Sequence, residues 1–222
     1  MLGESVFVGV LERRVVAMKM ITYNVRGLGG FEKRNEVRRL VYEKQPYVLC
    51  VQETKLPVVD AAVVTALWGG SNYGYSFQPS MRASGGLVTV WDNNVVDVWS
   101  TSSFGHILII RGRVINTNQE FIVANVYAPC DMSAKQTLWD RLHSISLLRA
   151  DINMCIYGDF NSIRSAGEGK SRGTVLRQHD VDIFNTFIED SFFRGFACLW
   201  SIFHLVSWRW AFYESVRQVF IE

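Results

Sequence analysis

An α/β or α+β sandwich, two β-sheets covered by helices, is the fold class this sequence predicts. Three observations carry it. Strand-like apolar runs alternate with amphipathic helices towards both ends of the stretch from Met18 to about Arg194. Between them, 73–127 holds a series of strands separated by turn signals. No internal repeat and no interdomain linker interrupts the chain. Strand–helix units flanking a set of hairpins suit stacked sheets with helices outside them.

The elements follow in order. MKMITYNV, from Met18, reads as a strand. Phe31 to about Glu43 reads as a helix, with Val37, Leu40 and Val41 on one face and Lys33, Arg34, Arg38 and Arg39 elsewhere; Pro46 stops it. YVLCVQ is a buried strand that closes on Glu53, and VVDAAVVTAL is a short helix ended by Gly69-Gly70. GGLVTVW, VVDVWS, HILIIRGRVI and FIVANVY are strands, with hairpin turns at Asp92-Asn93-Asn94 and at Asn116 to Gln119. Leu138, Leu142, Ile145 and Leu148 stripe a helix, and MCIYGDF is the next strand. A polar, Gly-rich loop from Ser162 to Gly173 leads to a helix carrying Val181, Phe184, Phe187 and Ile188.

At 222 residues the chain is long enough for one domain with a normal core. With 49% hydrophobic and 20% charged residues it is neither disordered nor fibrous. A net charge of +2 does not by itself point to nucleic acid, although a local basic surface is compatible with it. The four cysteines, Cys50, Cys130, Cys155 and Cys198, form no C-x-x-C pair and read as buried thiols in a reducing compartment. Residues 1–17 lack the positive region of a signal peptide; Met18 or Met20 could serve as a second start, so this leader is expected to be an extension outside the domain.

Four short motifs end strands, where sites are often built: Y-N-V-R-G at 23–27, Q-E-T-K at 52–55, N-V-Y-A-P at 125–129 and G-D-F-N at 158–161. Glu53 and Asp159 would thus sit at strand ends on one rim of a sheet. Two carboxylates with amides suit Mg²⁺, which takes one or two protein carboxylates and keeps several waters. Such an ion polarises a phosphoryl oxygen while an Asp activates water. Each residue taken singly has an ordinary reading as well. Asn24 can cap a turn before Gly27, Glu53 can be an exposed strand-end acid, Tyr127 a packed aromatic, and Asp159 and Asn161 turn formers.

Taken together and in this order, MKMITYNVRGLGG, YVLCVQETKL, GGLVTVW, NVYAPCD and IYGDFNSI resemble the successive signature segments of the endonuclease/exonuclease/phosphatase family, over about residues 18–190. The R-G-L-G and Q-E-T-K wording is similar to plant LINE-type retrotransposon endonucleases. The resemblance implies a four-layer α/β/β/α sandwich with its site at one end of two sheets. It implies that Asn24 and Glu53 hold Mg²⁺ (or Mn²⁺) and its waters, that Tyr127 contacts the scissile phosphate, that Asp159 orients or deprotonates the attacking water, and that Asn161 stabilises the pentacoordinate phosphorane. Arg26 would join Tyr127 and Asn161 in binding substrate. The partner implied is the phosphodiester backbone of DNA, with neither a membrane nor an obligate oligomer, in a nuclear or cytoplasmic setting. Other branches act on phosphates of inositol lipids or sphingomyelin.

The sequence departs from the family pattern late. A second Asp near a segment resembling S-R-L-D-R-F and a final Ser-Asp-His are missing. The four histidines, His106, His143, His179 and His204, lie in no such context and are expected to be structural or on the surface, His106 in a strand and His143 and His179 in helices. The uncharged run from Phe196 to Trp208 is too short to span a bilayer, which takes about 20 apolar residues. Read one nucleotide later, codons for Phe203 to Leu205 can give F-T-W, and those for Glu214 to Val219 can give S-R-L-D-R-F. A frameshift near Ser191 to Arg194 is therefore expected, with 18–194 a partial domain, 195–222 a tail in the wrong frame, and weak or absent activity for this chain. Two other readings stay open: a non-catalytic interaction module using Lys33, Arg34, Arg38 and Arg39, and a phosphatase of small or lipid substrates.

Overall fold

The computed structural model describes residues 6–11, 18–81, 84–148, 152–164, 178–193 and 198–201. Two five-stranded sheets lie face to face. The first has the order β1-β2-β3-β5-β4, from β1 (Val6–Leu11), β2 (Met18–Asn24), β3 (Val48–Gln52), β4 (Tyr73–Met81) and β5 (Ser84–Asp92). The second has the order β10-β9-β8-β7-β6, from β6 (Val96–Phe104), β7 (Ile107–Val114), β8 (Glu120–Tyr127), β9 (Asn153–Asp159) and β10 (Cys198–Ser201). Four helices accompany them among the described residues: α1 (Phe31–Lys44), α2 (Ala61–Trp68), α3 (Met132–Leu148) and α4 (Gln178–Phe193).

Strand alternation creates three cores and hence four layers. Met18 and Met20 of β2, Val48 and Cys50 of β3, Phe121 and Val123 of β8, and Cys155 and Tyr157 of β9 share the core between the sheets. Their neighbours turn outward. Ile21, Tyr23, Leu49 and Val51 pack under Val37 and Val41 of α1 and Val64 and Leu67 of α2. Ile122, Ala124, Val126, Met154 and Ile156 pack under Leu138, Trp139 and Leu142 of α3 and Phe184, Phe187 and Ile188 of α4. In that outer core Trp139 stacks on Phe187 with ring centroids 4.7 Å apart. Strands covered on both faces read as continuous apolar runs, which is why β3 is buried at all five positions. Each such side chain contributes about 1.5–3 kcal/mol on burial.

The β2–α1–β3 and β8–α3–β9 segments are parallel crossover units, one in each sheet. They bring the C-terminal ends of all four strands to the same end of their sheets, with Asn24 beside Gln52 and Tyr127 beside Asp159 in register.

Several expectations need correction. The turn at Asp92 to Asn94 joins no hairpin. β5 pairs with β3 and β4 while β6 pairs with β7, so this turn carries the chain from one sheet to the other. β4 had no strand signal because Gly74 and Pro79 interrupt it; it is an edge strand, where proline is tolerated. α2 begins at Ala61, after Val58 and Val59, because the Asp60 side chain accepts a hydrogen bond from Val63 N and caps it. His106 lies in the β6–β7 turn. Cys50 and Cys155 are buried, but Cys130 is exposed.

Within 1–17, expected to be an extension, Val6–Leu11 forms β1 and pairs antiparallel with β2. β10 pairs in parallel with β9. The rest of segment 195–222, with His204, and the Gly-rich loop after Arg164 lie outside the described residues. No described helix is long and apolar enough to cross a membrane.

Candidate active site

The four strand-end motifs meet at one end of the two sheets. Asn24, at the end of β2, donates from Nδ2 to Asp159 Oδ2 at 2.6 Å, across 135 residues of sequence and from one sheet to the other. Both residues are buried, at 7% and 5% exposure. Asn24 Oδ1 accepts from Arg26 N at 3.1 Å, so the amide's two ends are each engaged and its orientation is settled. Asp159 Oδ1 accepts from Asn161 N at 2.9 Å. Asn161 Nδ2 donates to Ala128 O at 2.7 Å, tying the β9 loop to the β8 loop.

Backbone geometry marks the same place. Among the described residues, positive φ outside glycine occurs at Arg26, Gln45, Glu53, Lys55, Asn118 and Asn161. Gln45 caps α1 and Asn118 lies in the β7–β8 turn, where such conformations are ordinary. The other four, Arg26, Glu53, Lys55 and Asn161, all lie in the strand-end motifs. Strained backbone of this kind persists where the surroundings over-determine it. Here Val25 N bonds to Gln52 O at 3.1 Å, Leu28 N to Thr54 O at 2.8 Å, Thr54 N to Gly86 O at 3.1 Å and Lys55 N to Gly85 O at 3.0 Å. Gly86 itself sits at φ +86, and a Cβ there would lie 2.3 Å from Thr54 Oγ1. Only glycine lets β5 come this close to the Q-E-T-K loop.

Gly158 has the same kind of reason. At φ +147, a Cβ would lie 1.9 Å from Val126 O, so the residue before Asp159 must be glycine for β9 to lie against β8.

The site is a cluster of coupled charges. Burial raises the Asp159 pKa, the bonds from Asn161 and Asn24 oppose that, and the Glu53 carboxylate raises it further. The Tyr127 phenol donates to the Glu53 carboxylate and is pushed up to about 12 by burial and by the charges of Glu53 and Asp159. Tyr127 therefore remains a protonated donor at neutral pH. Glu53 Oε1 also pairs with Lys55 Nζ at 3.0 Å. Arg26 is exposed on the rim, where its charge lowers the Asp159 pKa.

All six residues anticipated from sequence, Asn24, Arg26, Glu53, Tyr127, Asp159 and Asn161, thus fall at one end of the sandwich. Among the described residues no three His, Cys, Asp or Glu side chains cluster as a metal cage. Two carboxylates and an amide nevertheless match what Mg²⁺ takes from a protein. A buried carboxylate whose ionisation is opposed by a second carboxylate is a place where a cation is favourable. Asn24, Glu53 and Asp159 fit such an ion.

Sequence reading missed three features of the site. Lys55 lay inside the Q-E-T-K motif without a role. Gln52 and Asn125 form a polar bridge between the sheets directly beneath the site, with Gln52 Nε2 donating to Asn125 Oδ1 at 2.7 Å. Within strand runs they looked like motif framing. Lys135, in the first turn of α3, is buried and donates to Asn161 O; a lysine on an amphipathic helix reads as solvated, so nothing in the sequence signalled it. The backbone O of His106 accepts from Tyr127 N at 3.0 Å. A cavity of about 500 Å³ between α3 and α4, lined by Trp139, His143, His179 and Asp190 among others, includes none of the site residues.

Comparison with solved structures places the fold. The AP endonuclease of Leishmania major superimposes with a TM-score of 0.61 at 18% identity, covering 84% of this chain and 67% of that one. A 3′ phosphatase of Neisseria bound to product DNA hairpin gives 0.59 at 15% identity, covering 78% of this chain and 71% of that one. An AP endonuclease of Archaeoglobus fulgidus gives 0.56 at 16% identity, covering 77% and 69%. At such identities the likeness is one of fold. This chain spans roughly two thirds of the length of these structures, 67% of the Leishmania enzyme. The sequence model of the Endonuclease/Exonuclease/phosphatase family matches residues 21–215, all four strand-end motifs included and past residues 191–194 where a shift of reading frame was expected. With the match covering most of its length and its four motifs gathered at one end of a four-layer sandwich, this chain belongs to the endonuclease/exonuclease/phosphatase family.

Proposed function

We propose that this chain is a divalent-metal-dependent phosphodiesterase domain acting on DNA, of the endonuclease type carried by plant LINE-type retrotransposons. The observation that carries the catalytic reading is the Asn24–Asp159 bond, which joins the two sheets through a buried, doubly held carboxylate beside a second one. The nucleic-acid reading draws support from the Neisseria structure, which is bound to a DNA hairpin, and from the AP endonucleases of like fold. The retrotransposon reading rests on the R-G-L-G and Q-E-T-K wording.

Glu53 and Asn24 would hold Mg²⁺ or Mn²⁺, which when bound polarises a phosphoryl oxygen and stabilises the leaving oxygen. Asp159 takes the proton of the attacking water. Its two hydrogen bonds fix its direction towards that water. As the water oxygen bonds to phosphorus and the P–O ester bond breaks, the Tyr127 phenol turns its one O–H from Glu53 to a non-bridging oxygen. The Asn161 amide keeps one N–H beyond its bond to Ala128 O for the same group. Arg26 and Lys55, exposed on the rim, meet the neighbouring phosphates.

Three of the four basic residues of the interaction-module reading have partners within the chain. Lys33 pairs with Glu36 at 3.3 Å, Arg39 with Glu43 at 3.5 Å, and Arg34 Nε donates to Leu28 O at 2.8 Å. The sequence has no Ser-Asp-His, so turnover by these 222 residues is expected to be weak. The test is nicking of supercoiled plasmid with Mg²⁺ or Mn²⁺ by this chain, by its Asp159→Ala variant, and by a protein with the downstream frame restored through Ser-Asp-His. Cutting that is faster in the restored protein and absent in Asp159→Ala supports the reading. Phosphate release from inositol phosphates without nicking, or nicking unaffected by Asp159→Ala, sinks it.

A further inference from the structure

We propose that Lys135 is a positioning residue of this site, its ammonium holding the Asn161 backbone so that the Asp159 carboxylate and the Asn161 amide keep their aim. This rests on the phosphodiesterase reading above. Lys135 is 6% exposed, and lysines are almost never so buried without a partner. Its Nζ donates to the carbonyl of Asn161, a residue held at φ 46. Asparagine takes that conformation more readily than most residues, and here the surrounding bonds hold it. The surrounding bonds form a closed set. Asn161 N reaches Asp159 Oδ1 at 2.9 Å, Ala128 N reaches Asp159 O at 2.8 Å, and Asn161 Nδ2 returns to Ala128 O at 2.7 Å. The Lys135 ammonium is the anchor that ties this set to α3.

Burial also separates Lys135 from the substrate. Arg26 and Lys55 are exposed and can meet phosphate, whereas Lys135 is buried against the Asn161 carbonyl after β9. Burial lowers its pKa, while the charges of Asp180 and Asp159 oppose that and favour the ammonium. One lysine therefore supplies both a charge-assisted donor, stronger than a neutral one, and a cation on the protein side of Asp159.

The experiment compares the parent chain with Lys135→Met and Lys135→Arg. Exchange of the Asn161 N–H is followed by NMR, and kcat and KM are measured for Mn²⁺-dependent plasmid nicking. In Lys135→Met, Asn161 N–H should exchange at least about tenfold faster, the loss of one charge-assisted hydrogen bond, while amides of β8 and β9 keep their protection. kcat should fall by about 100-fold at unchanged KM, the cost of a misaimed group. Lys135→Arg should recover most of both. Unchanged protection at Asn161, or loss spread evenly over β8 and β9, would overturn the assignment. So would a raised KM with kcat retained, which would make Lys135 a substrate contact. Should Lys135→Met not fold, Lys135→Gln takes its place under the same criteria. Asp159→Ala, run alongside, tests the functional reading separately: if it cuts normally that reading fails, and the exchange comparison still judges Lys135.

Discussion

Replacing Asn125 with leucine should destabilise the protein by several kcal/mol while leaving the shape of the core almost intact. Asn125 lies in β8, fully buried between the sheets. Its Oδ1 accepts from Gln52 Nε2 at 2.7 Å, and its Nδ2 donates to Val88 O at 3.1 Å, Thr89 Oγ1 at 3.2 Å and Val51 O at 3.3 Å. Two to three effective bonds are lost, at about 1 kcal/mol each net. Gln52 Nε2 keeps Thr22 Oγ1 at 3.0 Å and Cys50 O at 3.3 Å, so its weakened bonding adds about 1 kcal/mol at most. The sum is about 2–4 kcal/mol. For a domain of this size each kcal/mol moves Tm by about 2–4 °C, so a drop of about 10 °C is expected. Gln52→Leu should cost less than Asn125→Leu, because Gln52 Oε1 is already buried without a partner and leucine removes that orphan. The double variant should be more stable than the sum of the singles predicts, by about 1–3 kcal/mol, since replacing both partners strands fewer groups. Urea unfolding and thermal melts of the four proteins measure this. A Tm shift for Asn125→Leu under about 2 °C, or strict additivity of the two changes, would refute the view that this bridge clamps the sheets together beneath the site.

Gly158→Ala should lower Tm by more than about 10 °C or prevent folding, since the added methyl meets the Val126 carbonyl; a melt within about 3 °C of the parent would contradict the close approach of β8 and β9. Mn²⁺ at 100 times its Kd should stabilise the parent by about 2.7 kcal/mol, and Glu53→Gln should remove most of that gain; thermal melts with and without chelator decide it. Without metal, the raised Asp159 pKa means that the folded chain holds a proton the unfolded chain has released once pH exceeds the ordinary value of 3.8. Stability from this group therefore falls as pH rises from 3.8 towards the raised folded value. With chelator present, Tm of Asp159→Asn relative to the parent should accordingly rise above about pH 4, as pH-dependent melts would show.

Much of the fold was legible because burial leaves a periodic trace. Met18, Met20, Val48 and Cys50 alternate with Ile21, Leu49 and Val51, and both sets are apolar, so β2 and β3 could be read as covered on two faces. The stripes of α3 and α4 were equally plain. The strand-end positions of Asn24, Glu53, Tyr127 and Asp159 also followed from the chain alone, since each motif closes an apolar run. What periodicity cannot report is the identity of the partner. It marked Asp92 to Asn94 as a turn without showing that the chain changes sheets there. It passed over β4, whose Gly74 and Pro79 are tolerated only because the strand lies on an edge. It gave no sign that Gln52 faces Asn125, or that Lys135 folds inward to Asn161. Each of these depends on two groups far apart in sequence arriving within about 3 Å of each other, and a hydrogen bond is decided at that range. Local propensity and hydrophobic pattern act over a few residues; only the packing of one sheet against the other brought Asn24 to Asp159.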